Sequence, residues 1–189
     1  KMKRLEIFYP RVQLDEKLVL KFLINREFTQ SNRWTKAAVL YQLGEQRIED
    51  FSLDLIAQLF NPDSLIRETA AWSLFQIDPE LYHSNAIRLG NEIKRELDYA
   101  ILGNEKKFTL MNYKKVIFFQ QIPLFEGMAG LTLSYLVDVS QTVLLSEGDV
   151  LSIDEKLNND FYIVYQGVVE YYNKGSFIVE YQVGQFIGE

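Results

Sequence analysis

Seven residue positions recur at one fixed offset in this chain. Arg33, Thr35, Ala37, Leu40, Tyr41, Gln42 and Leu43 align with Arg67, Thr69, Ala71, Leu74, Phe75, Gln76 and Ile77, each pair 34 residues apart. Self-similarity at that period is the signature of a stacked helical repeat. One hairpin cannot bury its apolar face alone, so neighbouring hairpins must bury it together. Ala37 and Ala71 are small enough to let helices approach closely at equivalent positions.

The residues around the repeat read as helices. Leu14–Leu23 places Leu14, Leu18 and Phe22 four apart on one expected apolar face, with Val19 and Leu23 beside it. Trp34–Gly44 is a second helix, with Gly44 expected as its C-cap. Phe51–Phe60 is a third, broken by Asn61-Pro62, after which Asp63 or Ser64 caps a helix through Ile77. Asp78-Pro79 has the form of an N-cap followed by a first-turn proline. One longer helix is expected over Ser84–Leu102. The stretch Leu59–Glu80 resembles a HEAT repeat: Asn61-Pro62 in the turn, then Arg67, Ala70 and Ala71, match that family's pattern. The resemblance implies an α-solenoid over residues 1–111.

Charge and texture both change near residue 112. Residues 1–113 hold 16 Lys/Arg and 16 Asp/Glu, whereas residues 114–189 hold 4 and 10. Nucleic-acid phosphates attract basic patches, so an acidic half argues against a nucleic-acid partner. With 48% hydrophobic residues among 189, the chain can bury a sizeable core. It contains no cysteine, which excludes disulfides, a thiol nucleophile and thiolate metal sites and fits a reducing compartment. No apolar run reaches the roughly 18 residues of a membrane span, and no secretory signal is visible. Lys1 precedes Met2, as expected of a piece excised from a longer protein.

Residues 112–189 read as two short helices followed by strands. Tyr113–Met128 is helical up to a break at Pro123, and Leu131–Val139 forms the second helix. Six β-branched and aromatic runs follow: Gln141–Leu145, Asp149–Ile153, Phe161–Gly167, Val168–Tyr172, Ser176–Tyr181 and Gln185–Glu189. Turns are expected at Glu147-Gly148-Asp149, Asn158-Asn159-Asp160 and Asn173-Lys174-Gly175. Closely spaced short strands suggest a β-roll or jelly roll.

This half resembles a cyclic nucleotide-binding domain of the catabolite activator protein type. The pieces occur in family order. Val116–Met128 resembles the opening helix with its Pro-Leu-Phe exit, and Leu133–Leu151 the second helix, first strand and Gly-Asp turn. Phe161–Tyr172 resembles a strand pair reversed at Gly167, and Val183–Glu189 resembles the start of the phosphate-binding cassette. The Lys156–Asp160 turn departs from the family's Gly-rich one, although Asn tolerates φ > 0. The resemblance implies an α+β chain, with the solenoid followed by a β-roll that is truncated at its C-terminus. It also implies a cyclic AMP or cyclic GMP site in which Gly188 approaches the ligand and Glu189 accepts from the ribose 2′-hydroxyl. The phosphate in such a site is held by backbone N–H groups and a later Arg, which lies beyond Glu189 in the family pattern. These 189 residues are therefore expected to bind weakly or not at all.

Other candidates read as structural. His83, the sole histidine, is expected at the surface, and a triad or a His-based metal cluster is hard to build from one His and no Cys. Arg33 and Arg67 are expected to bond neighbouring repeats, Trp34 and Trp72 to pack, and Lys114-Lys115 to form a solvated face. Asp15-Glu16 and Asp154-Glu155 are expected as cap and turn residues. The expected function is a non-enzymatic regulatory module, with the helices relaying or scaffolding. The domain pairing resembles the soluble region attached to bacterial ADP/ATP-type nucleotide transporters, which implies an attached transporter domain and a cytoplasmic place for this segment. The alternative is a ligand-free protein-interaction scaffold.

Overall fold

The computed structural model describes residues 15–26, 31–102, 110–151 and 160–188. They divide into two compact units, Lys1–Leu97 and Asp98–Glu189. The division falls inside a helix, upstream of the change of texture at 111/112.

The first unit is helical. Its helices are α1 (Glu16–Asn25), α2 (Arg33–Glu45), α3 (Ser52–Gln58), α4 (Ser64–Ile77) and α5 (Pro79–Ala86), with a 3-10 turn at Glu49–Phe51. A further helix, α6 (Asn91–Leu102), crosses the division. Short polar side chains start most of them. Asp15 accepts from the Lys17 and Leu18 amides, and Asn32 accepts from the Thr35 amide. Asp63 accepts from the Ile66 amide, and Asp78 accepts from the Leu81 amide with Pro79 at the first helical position.

The repeat segments lie in α2 and α4, which pack on one another. Ala37, Leu40, Ala71 and Leu74 are all fully buried. Ser73 Oγ donates to the Leu40 carbonyl at 2.8 Å, and the Tyr41 and Trp72 rings stack with centroids 4.4 Å apart. The two arginines hold the turn between α3 and α4. The Arg33 guanidinium meets the Asp63 carboxylate at 2.9 and 3.0 Å, and Arg67 donates to the Asn61 carbonyl at 2.8 Å.

Three local expectations for this unit are corrected. Gly44 is not the C-cap: α2 runs through Glu45 and ends in a Schellman motif. Ile48 N–H donates to the Leu43 carbonyl and Arg47 N–H to the Gly44 carbonyl, with Arg47 itself at φ 51°. On α1 the inward side is Val19, Leu20, Leu23 and Ile24, whereas Leu18 and Phe22 are exposed; Leu14 lies outside the described residues. The expected helix over Ser84–Leu102 is interrupted after Ala86 by tight bonds from Arg88 N–H to Asn85 and from Leu89 N–H to Ala86. Gly90, of low helix propensity, sits at this break, and its carbonyl starts α6 by accepting from the Lys94 amide.

The second unit opens with α7 (Asn112–Gln120), a 3-10 turn at Pro123–Phe125 and α8 (Gly130–Asp138). Val116, Phe119, Ile122, Phe125, Leu133 and Val137 form its buried centre, with the Phe119 and Phe125 rings 5.1 Å apart. Lys115 is buried in this helix pair, its Nζ 3.5 Å from the Ser140 carbonyl oxygen, while Lys114 is exposed. The expected solvated Lys114-Lys115 face thus holds for one residue of the pair, because the helical register turns the other inward.

Antiparallel strands follow: β1 (Tyr162–Ile163), β2 (Val169–Asn173), β3 (Ser176–Tyr181) and β4 (Phe186–Ile187). They form two separate two-stranded ladders, β1–β4 and β2–β3, and no closed barrel among the described residues. The β2–β3 turn is Lys174-Gly175 with φ 48° and 80°, the paired positive values of a type I′ hairpin. A bulge interrupts the ladder, with Tyr171 opposite Val179 and Tyr172 opposite Phe177. Gln141–Leu145 and Asp149–Leu151, expected as strands, join no ladder among the described residues. A β-rich composition makes a strand only where a partner takes up its backbone bonds. The turn at Glu147-Gly148 is present, closed by Asp149 N–H to the Ser146 carbonyl at 3.0 Å. Ser152–Ile153 of the expected second run, Asp154-Glu155 and most of the Asn158–Asp160 turn lie outside the described residues.

Candidate functional site

The candidate site is the segment leading to Gly188. It is built by pairing Phe161–Val164 with Gly184–Gly188. Tyr162 faces Ile187 and Ile163 faces Phe186 in antiparallel register. Beyond the assigned strands the pairing continues, with Val164 N–H donating to the Gln185 carbonyl at 3.0 Å and Gly184 N–H to the Val164 carbonyl at 2.9 Å.

A tight turn feeds this ladder. Gln185 N–H donates to the Gln182 carbonyl at 2.9 Å, and Gly184 stands third in the turn at φ 83°. A type II turn requires φ > 0 there, which explains the glycine. Gln182 N–H also donates to Gln185 Oε1 at 2.6 Å, so a side chain closes the turn a second time.

Gly188 is placed by a close approach. Its φ is 157°, and a Cβ built on it would stand 3.1 Å from Phe161 Cδ2 and 3.5 Å from Phe161 Cα. Phe161 also meets the Phe186 ring at a tilt, with centroids 5.2 Å apart. A side chain at 188 would displace the ring and disturb the end of the ladder. Glu189, the expected ribose contact, lies outside the described residues. Gly167 has φ 81° at the bend between β1 and β2, where a reversal is expected.

Two depressions bear on binding. One, about 290 Å³, lies beside the candidate site, lined by Ile122, Pro123 and Leu124 on one side and Tyr181, Gly184 and Phe186 among others on the strands. It is apolar with Glu180 at its edge, a poor seat for a phosphate. The other, about 670 Å³, is in the helical unit, and Glu49, Asp78 and Glu80 are among its lining residues. Asp78 is committed to capping α5, and three carboxylates repel an anion. Size alone would favour the larger depression. Its charge disqualifies it for a cyclic nucleotide.

The other candidates take structural places. His83 is exposed and stands edge-on to Phe75, with centroids 5.9 Å apart. Among the described residues no group of three His, Cys, Asp or Glu could hold a metal ion. None of the described helices is long and apolar enough to cross a membrane. A grouping that residue spacing does not reveal lies on the β2–β3 hairpin, where Glu170 is directly opposite Glu180. Tyr172 donates its hydroxyl to Glu170 Oε2 at 2.7 Å and meets the Phe177 ring edge-on at 5.8 Å. Alternation on each strand is readable in advance, but the bulge that brings Phe177 onto this face is not. Comparison with protein-family models, curated proteins and solved structures finds no match to this chain.

Proposed function

We propose that the chain is a non-enzymatic regulatory module, a cyclic nucleotide-binding-like domain coupled to a HEAT-like helical scaffold within a larger protein. One observation carries the reading: the tight turn at Gly184 delivers the chain to Gly188, whose φ of 157° and close approach to Phe161 favour a residue without a side chain. That geometry suits a backbone segment meant to approach a ligand. The helix α7, the Pro-Leu-Phe turn and α8 precede it in the order of the resemblance, whereas Gln141–Leu145, the first strand in that order, joins no ladder among the described residues. In the helical unit, the equivalence of Leu40 with Leu74 and of Ala37 with Ala71 in packed helices supports the repeat reading. A nucleotide transporter of the ADP/ATP type is the proposed context, on domain pairing alone.

The test is titration calorimetry with cyclic AMP and cyclic GMP on residues 1–189 and on the full-length protein. Heat is expected only where a downstream Arg completes the phosphate site. There Glu189→Ala should weaken binding by roughly 1.5–3 kcal/mol, the worth of one hydrogen bond to a charged group. Tight binding by residues 1–189 alone would overturn this account of the phosphate site. Silence of the full-length protein toward both ligands would favour the second reading, a ligand-free interaction scaffold. The separate ladders β1–β4 and β2–β3, with Phe177 and Ile178 exposed, speak for that second reading.

A further inference from the structure

We propose that the β2–β3 hairpin docks a cationic, extended segment of a partner protein, added as a third strand along β3. This inference does not depend on nucleotide binding. In β3, Phe177 and Ile178 are each 55% exposed and Val179 is 38% exposed. Among the described residues the β2–β3 sheet has two strands only, so the outer edge of β3 offers unpaired backbone groups beside apolar side chains. A two-stranded hairpin is marginal alone, and an added strand supplies what it lacks.

Charge identifies the occupant. Glu170 and Glu180 are directly opposed, and like charges so placed destabilise a strand pair. Their side-chain partners are neutral: Tyr172 for Glu170, and Gln182 Nε2 for Glu180 at 3.3 Å. Neither carboxylate forms an ion pair within the described residues. Tyr172 and Phe177 share this face with them. A residue of an added strand in register with Glu180 would also lie on this face, one strand spacing away. Lys or Arg there would pair with Glu180, offset one of the two opposed charges and pack against aromatic rings. The same edge of a second copy has no cation to offer, since Ser176–Tyr181 contains Glu180 and no Lys or Arg. A nucleic acid or an anionic membrane would meet the net charge of residues 114–189, where 10 Asp/Glu face 4 Lys/Arg.

The experiment compares two synthetic peptides alternating Val with Lys/Arg or Val with Glu, by fluorescence anisotropy on residues 1–189. The basic peptide is expected to bind, more weakly as salt rises, and to slow amide exchange over Ser176–Tyr181. Glu180→Lys is expected to weaken it by about five- to tenfold and to strengthen the acidic peptide, as reversal of one exposed pair does. Glu180→Gln removes the charge without reversing it, relieves the like-charge contact, and should fall between. Equal binding of both peptides, indifference to Glu180→Lys, or protection that spares β3 would overturn the proposal. So would self-association through this face in sedimentation equilibrium.

Discussion

Gly44 of α2 lies so close to Ser73 of α4 that a Cβ built on it would stand 2.6 Å from the Ser73 Cα. The glycine is there for helix–helix contact. Two effects oppose one another in Gly44→Ala: helix propensity favours Ala by about 1 kcal/mol, whereas overpacking costs about 1–3 kcal/mol. The obstructing atom is backbone and cannot swing away, so overpacking wins. A lower denaturant midpoint is expected; a higher one would mean that α2 and α4 separate without penalty.

Leu40→Ala and Leu74→Ala should each cost about 2–5 kcal/mol, the range for truncating a buried leucine. Both side chains are fully buried at equivalent positions of the repeat. Chemical denaturation of each variant checks this, and a loss near zero for both would show that this helix face is not the core.

Asp63 has two tasks, capping α4 and pairing with Arg33. Asn caps as well as Asp but carries no charge, so Asp63→Asn isolates the ion pair. Asp63→Ala removes both and should be the more destabilising by about 1 kcal/mol, the typical worth of an N-cap. Equal melting temperatures for the two variants would exclude the capping role.

Lys174 adopts a left-handed conformation that disfavours most L-residues, at the first position of a type I′ turn. Lys174→Asn should stabilise the hairpin by about 0.5–1 kcal/mol, because Asn-Gly suits this turn. Slower amide exchange across Val169–Tyr181 is the expected result; faster exchange would contradict the turn assignment.

The hydrogen bond that Tyr172 donates to Glu170, followed by the charge on that carboxylate, raises the phenol above the ordinary tyrosine range. A group whose folded pKa is raised stabilises the fold below its unfolded pKa, and the contribution is lost as pH rises through the folded value. The hairpin should therefore be intact at neutral pH and loosen in alkali. In an absorbance titration of tyrosinate, Glu170→Gln should ionise one tyrosine at lower pH than the parent. Superimposable curves would remove the bond.

The sequence by itself determined what local chemistry can decide. Caps at Asp63 and Asp78, the breaks at Asn61-Pro62 and Pro123, and the Lys174-Gly175 turn are all written within a few residues of where they act. The 34-residue offset likewise marked Leu40 and Leu74 as equivalent, and both are buried. Of the candidate site, the resemblance marked Gly188 as a glycine that approaches a ligand; what the fold sets against it is the Phe161 ring, from a segment distant in sequence. Tertiary structure decided the rest, because burial and pairing depend on what arrives from elsewhere in the chain. Periodicity put Leu18 and Phe22 on an apolar stripe, yet packing chose the neighbouring side of α1. Gly44 stops no helix because Ser73 needs the space it leaves, and Lys115 is buried because of the register of α7 against α8. Gln141–Leu145 has the composition of a strand and no partner among the described residues, whereas Val169–Asn173 found one in β3. A helix satisfies its backbone from its own residues and can be read locally; a strand is completed only by another strand.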